Sequence, residues 1–228
     1  MLLTFAAGFV DIVGYLAIYQ TFTAHMTGAT VHVAQNLVAA HWMDAVKAGC
    51  VVSAFLLGSV IGRTIIEIGT RVRMRSIASA TLLIEAALIV AVARWPILPV
   101  MALLAMLAAA MGLQTATLTR VGSLTVHTTF VTGMLNKLAQ LLSHAAFTTY
   151  DILCGRPAAA MRQQHLRQAK FILSIWFLYL AGAAAGTWAK SVWGVRGLLF
   201  PAGTIAIAIV VDQVTPLSIE EEHDQPER

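Results

Sequence analysis

Two acidic residues, Asp11 and Glu85, lie within apolar stretches of the sequence, where a carboxylate has few ways to be stabilised. An acid at the centre of a membrane helix costs roughly 2.5 to 3.5 kcal/mol, so it is expected to face a cavity or a partner group. Because a low dielectric disfavours the charged form, both acids are candidates for coupling a proton or another cation. For Asp11 the alternative is a structural hydrogen bond or a position at the end of its helix. Lys137 also lies in an apolar stretch and is a candidate partner for either acid.

A short polar motif, Thr-Gly, occurs twice, each time just before an apolar run. The same offset of 105 residues separates Thr27 and Gly28 from Thr132 and Gly133, and also Gln35 from Gln140. Thr can cap the free N–H groups of a helix start, and Gly lets a ligand approach the backbone. Two such helix starts meeting at mid-membrane would form a positive site for an anionic or polar solute. The alternative is capping with close helix packing, with the glutamines as hydrogen bonds between helices.

The polar passage before the second Thr-Gly motif contains Gln114 and Arg120, which are candidates for a gate or for solute binding. Three histidines, His25, His32 and His127, lack the spacing that marks a zinc helix, so structural or interfacial roles are favoured. No metal or cofactor is predicted. The sequence also lacks a nucleophile elbow, a phosphate-binding loop and a paired-cysteine motif, which favours a permease over an enzyme.

The composition is that of a membrane protein. Hydrophobic residues make up 58% of the chain and charged residues 11%, with a mean hydropathy of +0.77, whereas a soluble domain has about 25% charged residues. The formal net charge of +4 arises from basic residues in short loops beside apolar runs. Positive-inside topology therefore explains it better than nucleic-acid binding. Cys50 and Cys154 are isolated and are predicted to be buried small hydrophobic residues.

Apolar runs divide the chain into eight predicted helical segments. They span residues 2–19, 27–40, 48–66, 76–93, 97–111, 132–150, 171–189 and 198–211. A helix that crosses a bilayer needs roughly 20 apolar residues, so the second segment is short for a full crossing. Residues 1–96 are predicted to form a first membrane repeat, residues 97–215 a second, and residues 216–228 a charged, solvent-exposed tail. The predicted fold class is an all-α polytopic membrane protein.

A G-x-x-x-G motif recurs in the same position of each half, at Gly58 and Gly62 and at Gly182 and Gly186. Small residues four positions apart let helix backbones approach closely in lipid, so these glycines are predicted to pack helices. Their recurrence, together with the repeated Thr-Gly motif, predicts an internal repeat.

The loops after segment three and before segment seven are both basic. If both face the cytoplasm, segments three and seven cross in opposite directions, which is the topology of an inverted repeat. Three full crossings between these loops would place them on opposite sides of the membrane. One element must therefore be a partial or broken crossing, and segments two and six, each opened by a Thr-Gly motif, are the candidates. The alternative is a parallel repeat with one basic loop outside.

Four motifs appear in order along the chain: GFVDIVGY at 8–15, HMTGAT at 25–30, GLQTA at 112–116 and TTFVTG at 128–133. Together they resemble the YoaK-like family of bacterial multi-pass membrane proteins. The resemblance covers nearly the whole chain and implies an inner-membrane protein of a largely uncharacterised family. Thr115 and Phe130 stand where that family more usually has Asn and His, so roles that need those two side chains are not implied.

These features favour a small secondary transporter or permease for a small polar or anionic solute, with proton coupling through Asp11 as one option. The alternative is a non-transporting membrane scaffold or sensor, in which the glycine motifs and the glutamines serve helix packing and homo-oligomer contacts. The lipid bilayer and a small-molecule solute are the expected partners, and nucleic acid is not.

Overall fold

The structure is a computed structural model that describes residues 1–16, 22–74, 76–117, 119–121, 124–126, 131–155 and 159–214. Its α-helices are α1 (Leu2–Gly14), α2 (Met26–Val38), α3 (Trp42–Arg71), α4 (Ile77–Arg94), α5 (Val100–Ala116), α6 (Val131–Leu153), α7 (Ala159–Trp193) and α8 (Leu199–Val214). A 3₁₀ helix, Gly194–Leu198, joins α7 to α8. Two three-residue strands, β1 (Thr119–Val121) and β2 (Leu124–Val126), form an antiparallel hairpin between α5 and α6.

Each predicted apolar segment corresponds to one helix, and the helical membrane class is confirmed, with the small hairpin as an addition. Three helical spans are long and apolar enough to cross a membrane: Trp42–Arg71, Ile77–Arg94 and Met161–Val214. Two shorter apolar helices, Leu2–Gly14 and Val100–Ala116, accompany them. The predicted repeat boundaries stay predictions, and the tail lies outside the described residues.

Several predicted helix boundaries were wrong. Segment three was predicted to begin at residue 48, but α3 already begins at Trp42, and Asp44 lies in its first turn, where an acid suits the helix dipole. The basic stretch before segment seven is helical from Ala159, since residues 161–170 contain good helix formers and neither Gly nor Pro. Helix α5 continues past the predicted end at Met111 to Ala116.

Six helices pack side by side in a row, in the order α2, α3, α5, α1, α7 and α6. Helices α4 and α8 cover the middle of this row, where α4 packs on α5, α8 packs on α1, and the two pack on each other. The largest hydrophobic cluster lies here and contains side chains from α1, α4, α5 and α8.

Two closely packed helix pairs, α3 with α5 and α1 with α7, are parallel. Successive contacts from α3 to α5 join Cys50 to Met101, Gly58 to Ala109 and Gly62 to Ala116. Successive contacts from α1 to α7 join Phe5 to Gly182 and Phe9 to Gly186. In both pairs the residue numbers rise together, which fixes the relative direction of the helices.

The remaining contacts of the row are antiparallel. Along α1 and α5, Leu3 meets Gln114 whereas Gly14 meets Leu107. The short connections 39–41 and 154–158 make α2 antiparallel to α3 and α6 antiparallel to α7. It follows that α1 and α2 run in the same direction, and that α5 and α6 run together in the opposite one.

Candidate functional site

The carboxyl group of Asp11 lies at the centre of a buried hydrogen-bond cluster. Its Oδ1 accepts from the backbone N–H of Thr23 at 2.8 Å, from that of Ala24 at 3.0 Å and from the Thr23 hydroxyl at 3.2 Å. Its Oδ2 accepts from the hydroxyl of Tyr179 at 2.9 Å. Asp11 is only 4% exposed, so these donors replace water around the carboxyl. The cluster ties α1 to α7 and to the segment that leads into α2.

The end of α1 and the start of α2 lie against the same stretch of α5. A Cβ at Gly14 would touch the side chains of Thr23 and Leu107. Ala29, in the first turn of α2, packs in a cluster with Leu104 and Ala108. The α-helical residues of α1 therefore end at Gly14, with Tyr15 and Leu16 in π-helical geometry, and α2 begins in the same direction at this level of the bundle. The carboxyl of Asp11 holds Thr23 and Ala24, just before α2, at this level.

Glycines let the parallel helices touch backbone to backbone. Between α3 and α5, a Cβ at Gly58 would overlap the carbonyl of Ala109, and one at Gly112 would overlap the carbonyl of Phe55. Between α1 and α7, a Cβ at Gly182 would overlap the carbonyl of Phe5, and one at Gly8 that of Tyr179. The structure thus places the G-x-x-x-G glycines at two helix contacts that leave no room for a side chain.

The two glycine contacts match residue by residue. Adding 104 to a residue number in α1 gives the matching residue of α5, so that Phe5, Gly8 and Phe9 match Ala109, Gly112 and Leu113. Adding 124 to a residue number in α3 gives the matching residue of α7, so that Phe55, Gly58 and Gly62 match Tyr179, Gly182 and Gly186. With these matches, each close glycine contact between α3 and α5 has a counterpart between α1 and α7. For example, the contact of Gly62 with Leu113 corresponds to the contact of Gly186 with Phe9.

A second polar group lies between α4 and α5. The hydroxyls of Thr81 and Thr117 are 2.9 Å apart. Glu85 lies four residues after Thr81 in α4, and Gln114 lies three residues before Thr117 at the end of α5. Residues three or four apart share one face of a helix, so Glu85 and Gln114 lie on the same faces as the two hydroxyls. Because α4 and α5 are antiparallel, both are displaced from the hydroxyls by one turn in the same direction. Glu85 and Gln114 are each 1% exposed. Gln114 Nε2 donates to the carbonyl of Leu3 at 2.7 Å.

Three oxygens of this second group have no hydrogen-bond partner among the described residues. They are Oε1 and Oε2 of Glu85 and Oε1 of Gln114. Buried polar atoms are nearly always hydrogen-bonded, so such a group calls for an explanation by a ligand, an ion or a proton.

The other predicted solute-binding residues lie on more open surfaces. Thr27, Gln35, Thr132 and Gln140 are exposed. Helix α2 packs on α3 and α6 on α7, and the described residues show no extensive packing of α2 on α6. The site shared by the two Thr-Gly motifs therefore stays a prediction.

The capping alternative for the first motif is wrong. The N-cap of α2 is His25, which makes no side-chain capping bond, and Thr27 already lies inside the helix. The ring of His25 packs instead against Gly28.

Further expectations can be compared with the structure directly. Lys137 is exposed and makes no ion pair with either acid among the described residues. The expectation for Cys154 was wrong because that residue is exposed, whereas Cys50 is half-buried. His127 lies outside the described residues, and nothing is described for the side chain of Arg120.

The sequence did not point to several polar residues that the structure brings together. Tyr179 and Thr23 have no local signal, because their roles depend on contacts with Asp11. Asp212 of α8 is 1% exposed and accepts from the backbone N–H and the hydroxyl of Ser79 at the start of α4, at 3.0 and 2.6 Å. In the sequence, the feature that could have indicated Asp212 is an acid within the last apolar helix.

Comparison with known proteins gives one match. A family model described as a protein of unknown function, DUF1275, matches residues 1–211. No curated protein matches the chain, and no solved structure matches it. The name YoaK-like stays a prediction.

Proposed function

The chain belongs to DUF1275, a family of proteins of unknown function, and from its geometry we propose that it is a small secondary transporter. It would move a small polar or anionic solute across the membrane. The observation that carries this proposal is that the α-helical residues of α1 end at Gly14, and α2 begins in the same direction, at the level of Leu107, with Asp11 bound to Thr23 and Ala24 just before α2.

The lengths of α1 and α2 fit one interrupted membrane crossing. Each has 13 residues and is therefore about 20 Å long, too short alone for a hydrocarbon core of about 30 Å. Together they are long enough. Discontinuous helices of this kind form the substrate sites of many secondary transporters, because the break places helix ends and free backbone groups at mid-membrane. Helices α5 and α6 run in one direction and would form the second interrupted crossing, which with 17 and 23 residues is longer than the first.

This arrangement supports an inverted repeat of three plus three crossings. The first half would comprise α1 with α2, then α3 and α4, and the second half α5 with α6, then α7 and α8. The matched glycine contacts support the correspondence, and the antiparallel contact of α1 with α5 supports the inversion. The halves would be interleaved, since α1 of one half packs on α7 of the other and α5 packs on α3.

The topology of the three-plus-three arrangement can be measured with cysteine labelling. In a Cys50→Ala background, we expect Val72→Cys and the native Cys154 to react from one side of the membrane, and His41→Cys from the other. All three positions are exposed. A membrane-impermeant maleimide applied to intact cells and to inside-out vesicles would report the side, with Cys154→Ala as the blank for the other two variants.

Eight full crossings would give a different labelling pattern. Val72 and Cys154 would then lie on opposite sides, and His41 would share the side of Cys154. That result would contradict the interrupted crossings and remove the basis for the proposed transport mechanism.

The α2 start offers chemistry suited to a polar or anionic solute. Its N-cap makes no side-chain capping bond, so the positive end of the helix dipole is open to a hydrogen-bond acceptor. Alternating access would move one repeat against the other around this level. The bonds of Asp11 to the segment before α2 and to Tyr179 would hold one state of that movement.

Solute binding gives a direct test of transport. Purified protein should gain thermal stability in the presence of at least one compound from a panel of organic anions, organic cations, amino acids and nucleobases, because a ligand that binds only the folded state raises its stability. The same compound should enter proteoliposomes that contain the protein and should not enter empty liposomes. If no member of the panel stabilises the protein or crosses the membrane with it, the scaffold alternative is favoured.

A non-transporting scaffold remains the second candidate function. It is favoured by the close glycine contacts, which bring the backbones of α3 and α5, and of α1 and α7, together without intervening side chains. The exposed glutamines of α2 and α6 would then serve contacts between protein copies. Loss of self-association after Gln35→Leu or Gln140→Leu, with no solute response in the parent protein, would support this candidate.

A further inference from the structure

We propose that Glu85 and Gln114 form a buried proton-binding pair, in which the protonated carboxyl of Glu85 donates a hydrogen bond to Oε1 of Gln114. Helical spacing places both residues on the facing sides of α4 and α5, one turn from the contact of the Thr81 and Thr117 hydroxyls.

The orientation of Gln114 follows from its one hydrogen bond. The carbonyl of Leu3 can only accept, so the amide nitrogen of Gln114 must face it. The amide oxygen then remains without a donor, as do both carboxyl oxygens of Glu85. Acceptors cannot satisfy one another, whereas a single added proton converts one carboxyl oxygen into a donor. One proton thus completes a hydrogen bond and removes a buried charge at the same time.

No ionisable side chain among the described residues forms an ion pair with Glu85. Helix α5 has no ionisable side chain. The ionisable side chains of the other elements packed against α4 are Asp44, Lys47, Cys50, Arg63, Glu67 and Arg71 of α3, Arg196 of the 3₁₀ helix and Asp212 of α8. Glu85 makes no ion pair or hydrogen bond with any of them, and Asp212 instead accepts from Ser79.

The number of oxygens favours a proton over a metal ion. Hard cations such as Ca²⁺ and Mg²⁺ take six or more oxygen ligands, whereas Glu85 and Gln114 supply three free ones. The backbone carbonyls around them are used within the helices. A proton needs only one acceptor, and Oε1 of Gln114 provides it.

A coupling role for this pair rests on the proposed transport function. Gln114 connects the pair to the first turn of α1 through Leu3, and α1 is half of the proposed interrupted crossing. A shift of α1 against α5 would break that bond and change the surroundings of Gln114. Proton binding by Glu85 would in this way depend on the position of the solute-binding helices.

Infrared spectroscopy tests the proton directly. The wild-type protein, reconstituted in phosphatidylethanolamine–phosphatidylglycerol vesicles at neutral pH, should show the C=O band of a protonated carboxyl. We expect Glu85→Gln to lose this band and Glu67→Gln to keep it. Glu67 is a matched control because it is exposed and pairs with Arg71. Absence of the band in the wild type, or its survival in Glu85→Gln, would overturn the proposal.

A second variant covers the case in which Glu85→Gln does not fold. Gln114→Met keeps the size of the side chain and removes the acceptor, so the carboxyl band should shift to higher frequency as its hydrogen bond is lost. An unshifted band would show that Gln114 is not the acceptor and would overturn the pair. Displacement of the band by Na⁺ would show that a metal ion competes for the oxygens and would overturn the assignment to a proton.

The outcome for the pair can be separated from the outcome for transport. A Glu85-dependent band in a protein that carries no solute into proteoliposomes would leave the pair standing and refute the transport function. Solute-driven proton movement that is unchanged in Glu85→Gln would leave transport standing and refute the coupling role of Glu85. A pH-sensitive dye trapped in the vesicles measures the movement.

Discussion

Replacing Gly112 by alanine is expected to destabilise the protein by about 2 kcal/mol or more, because added volume at a packed contact forces backbone shifts. The new methyl group would overlap the carbonyl of Phe55 and press on the backbone nitrogen of Ser59. Backbone atoms cannot rotate away as a side chain can. Helices α3 and α5 would therefore have to separate along the whole contact, which also weakens the hydrogen bond from the Ser59 hydroxyl to the carbonyl of Gly112.

The counterpart in the other glycine contact should behave alike. Alanine at Gly8 would meet the carbonyl of Tyr179 and the backbone nitrogen of Ala183 in the same geometry, so the loss of stability should be similar. Unfolding of the purified variants, followed by the melting temperature in one detergent, measures both.

Two other glycines provide matched controls inside helices. Gly49 of α3 and Gly203 of α8 have open space where a Cβ would be added. Alanine there removes the helix-propensity cost of glycine, so stability should stay equal or rise by up to about 1 kcal/mol. If Gly112→Ala melts like Gly49→Ala, the backbone contact between α3 and α5 is not as tight as described.

The positions of the helices could be predicted because apolar runs and the residues that interrupt them are local features. Pro96 and Pro99 separate α4 from α5, and the 3₁₀ stretch with Gly194 separates α7 from α8. One boundary failed because a helix continues for a non-local reason. Gly112 looked like the end of a segment, yet it lies within α5 because the backbone of α3 packs directly against it.

Helix pairing could not be predicted, because it depends on contacts between residues far apart in the chain. Nothing local in Gly8 or Gly182 indicates that α1 packs on α7 rather than on a helix of its own half. The partners of Asp11 are similarly distant, since Tyr179 lies 168 residues away. The sequence therefore indicated which residues were unusual, and the fold decides what each of them contacts.

Asp11 and Glu85 illustrate this difference. Both are acids in apolar helices, and both were candidates for ion coupling on that basis. The structure gives Asp11 a donor for each oxygen, whereas Glu85 has no donor among the described residues. Several donors satisfy the oxygens of a buried carboxyl group, whereas a buried carboxyl without donors is a place for a proton. The two acids are thus expected to differ in function, Asp11 as a structural tie and Glu85 as the proton carrier.

Replacing Asp11 by alanine should destabilise the protein by about 3 to 5 kcal/mol. The change leaves the backbone N–H groups of Thr23 and Ala24 and the hydroxyl of Tyr179 without their acceptor. Buried donors left unpaired cost roughly 1 to 3 kcal/mol each, and part of this is recovered when water enters. The segment before α2 would lose its attachment to α1, so solute binding should weaken together with the melting temperature.

Asp11→Asn is the control that separates hydrogen bonding from charge. The amide oxygen can still accept from Thr23 and Ala24, and the amide nitrogen can donate to the hydroxyl oxygen of Tyr179, so we expect the melting temperature to fall by much less than in Asp11→Ala. Because the fold survives, proton movement can be read in this variant. If Glu85 carries the proton, solute-driven proton movement should persist in Asp11→Asn and disappear in Glu85→Gln. The reverse pattern would assign the coupling to Asp11, and equal melting of Asp11→Ala and wild type would show that the buried cluster does not hold α2 in place.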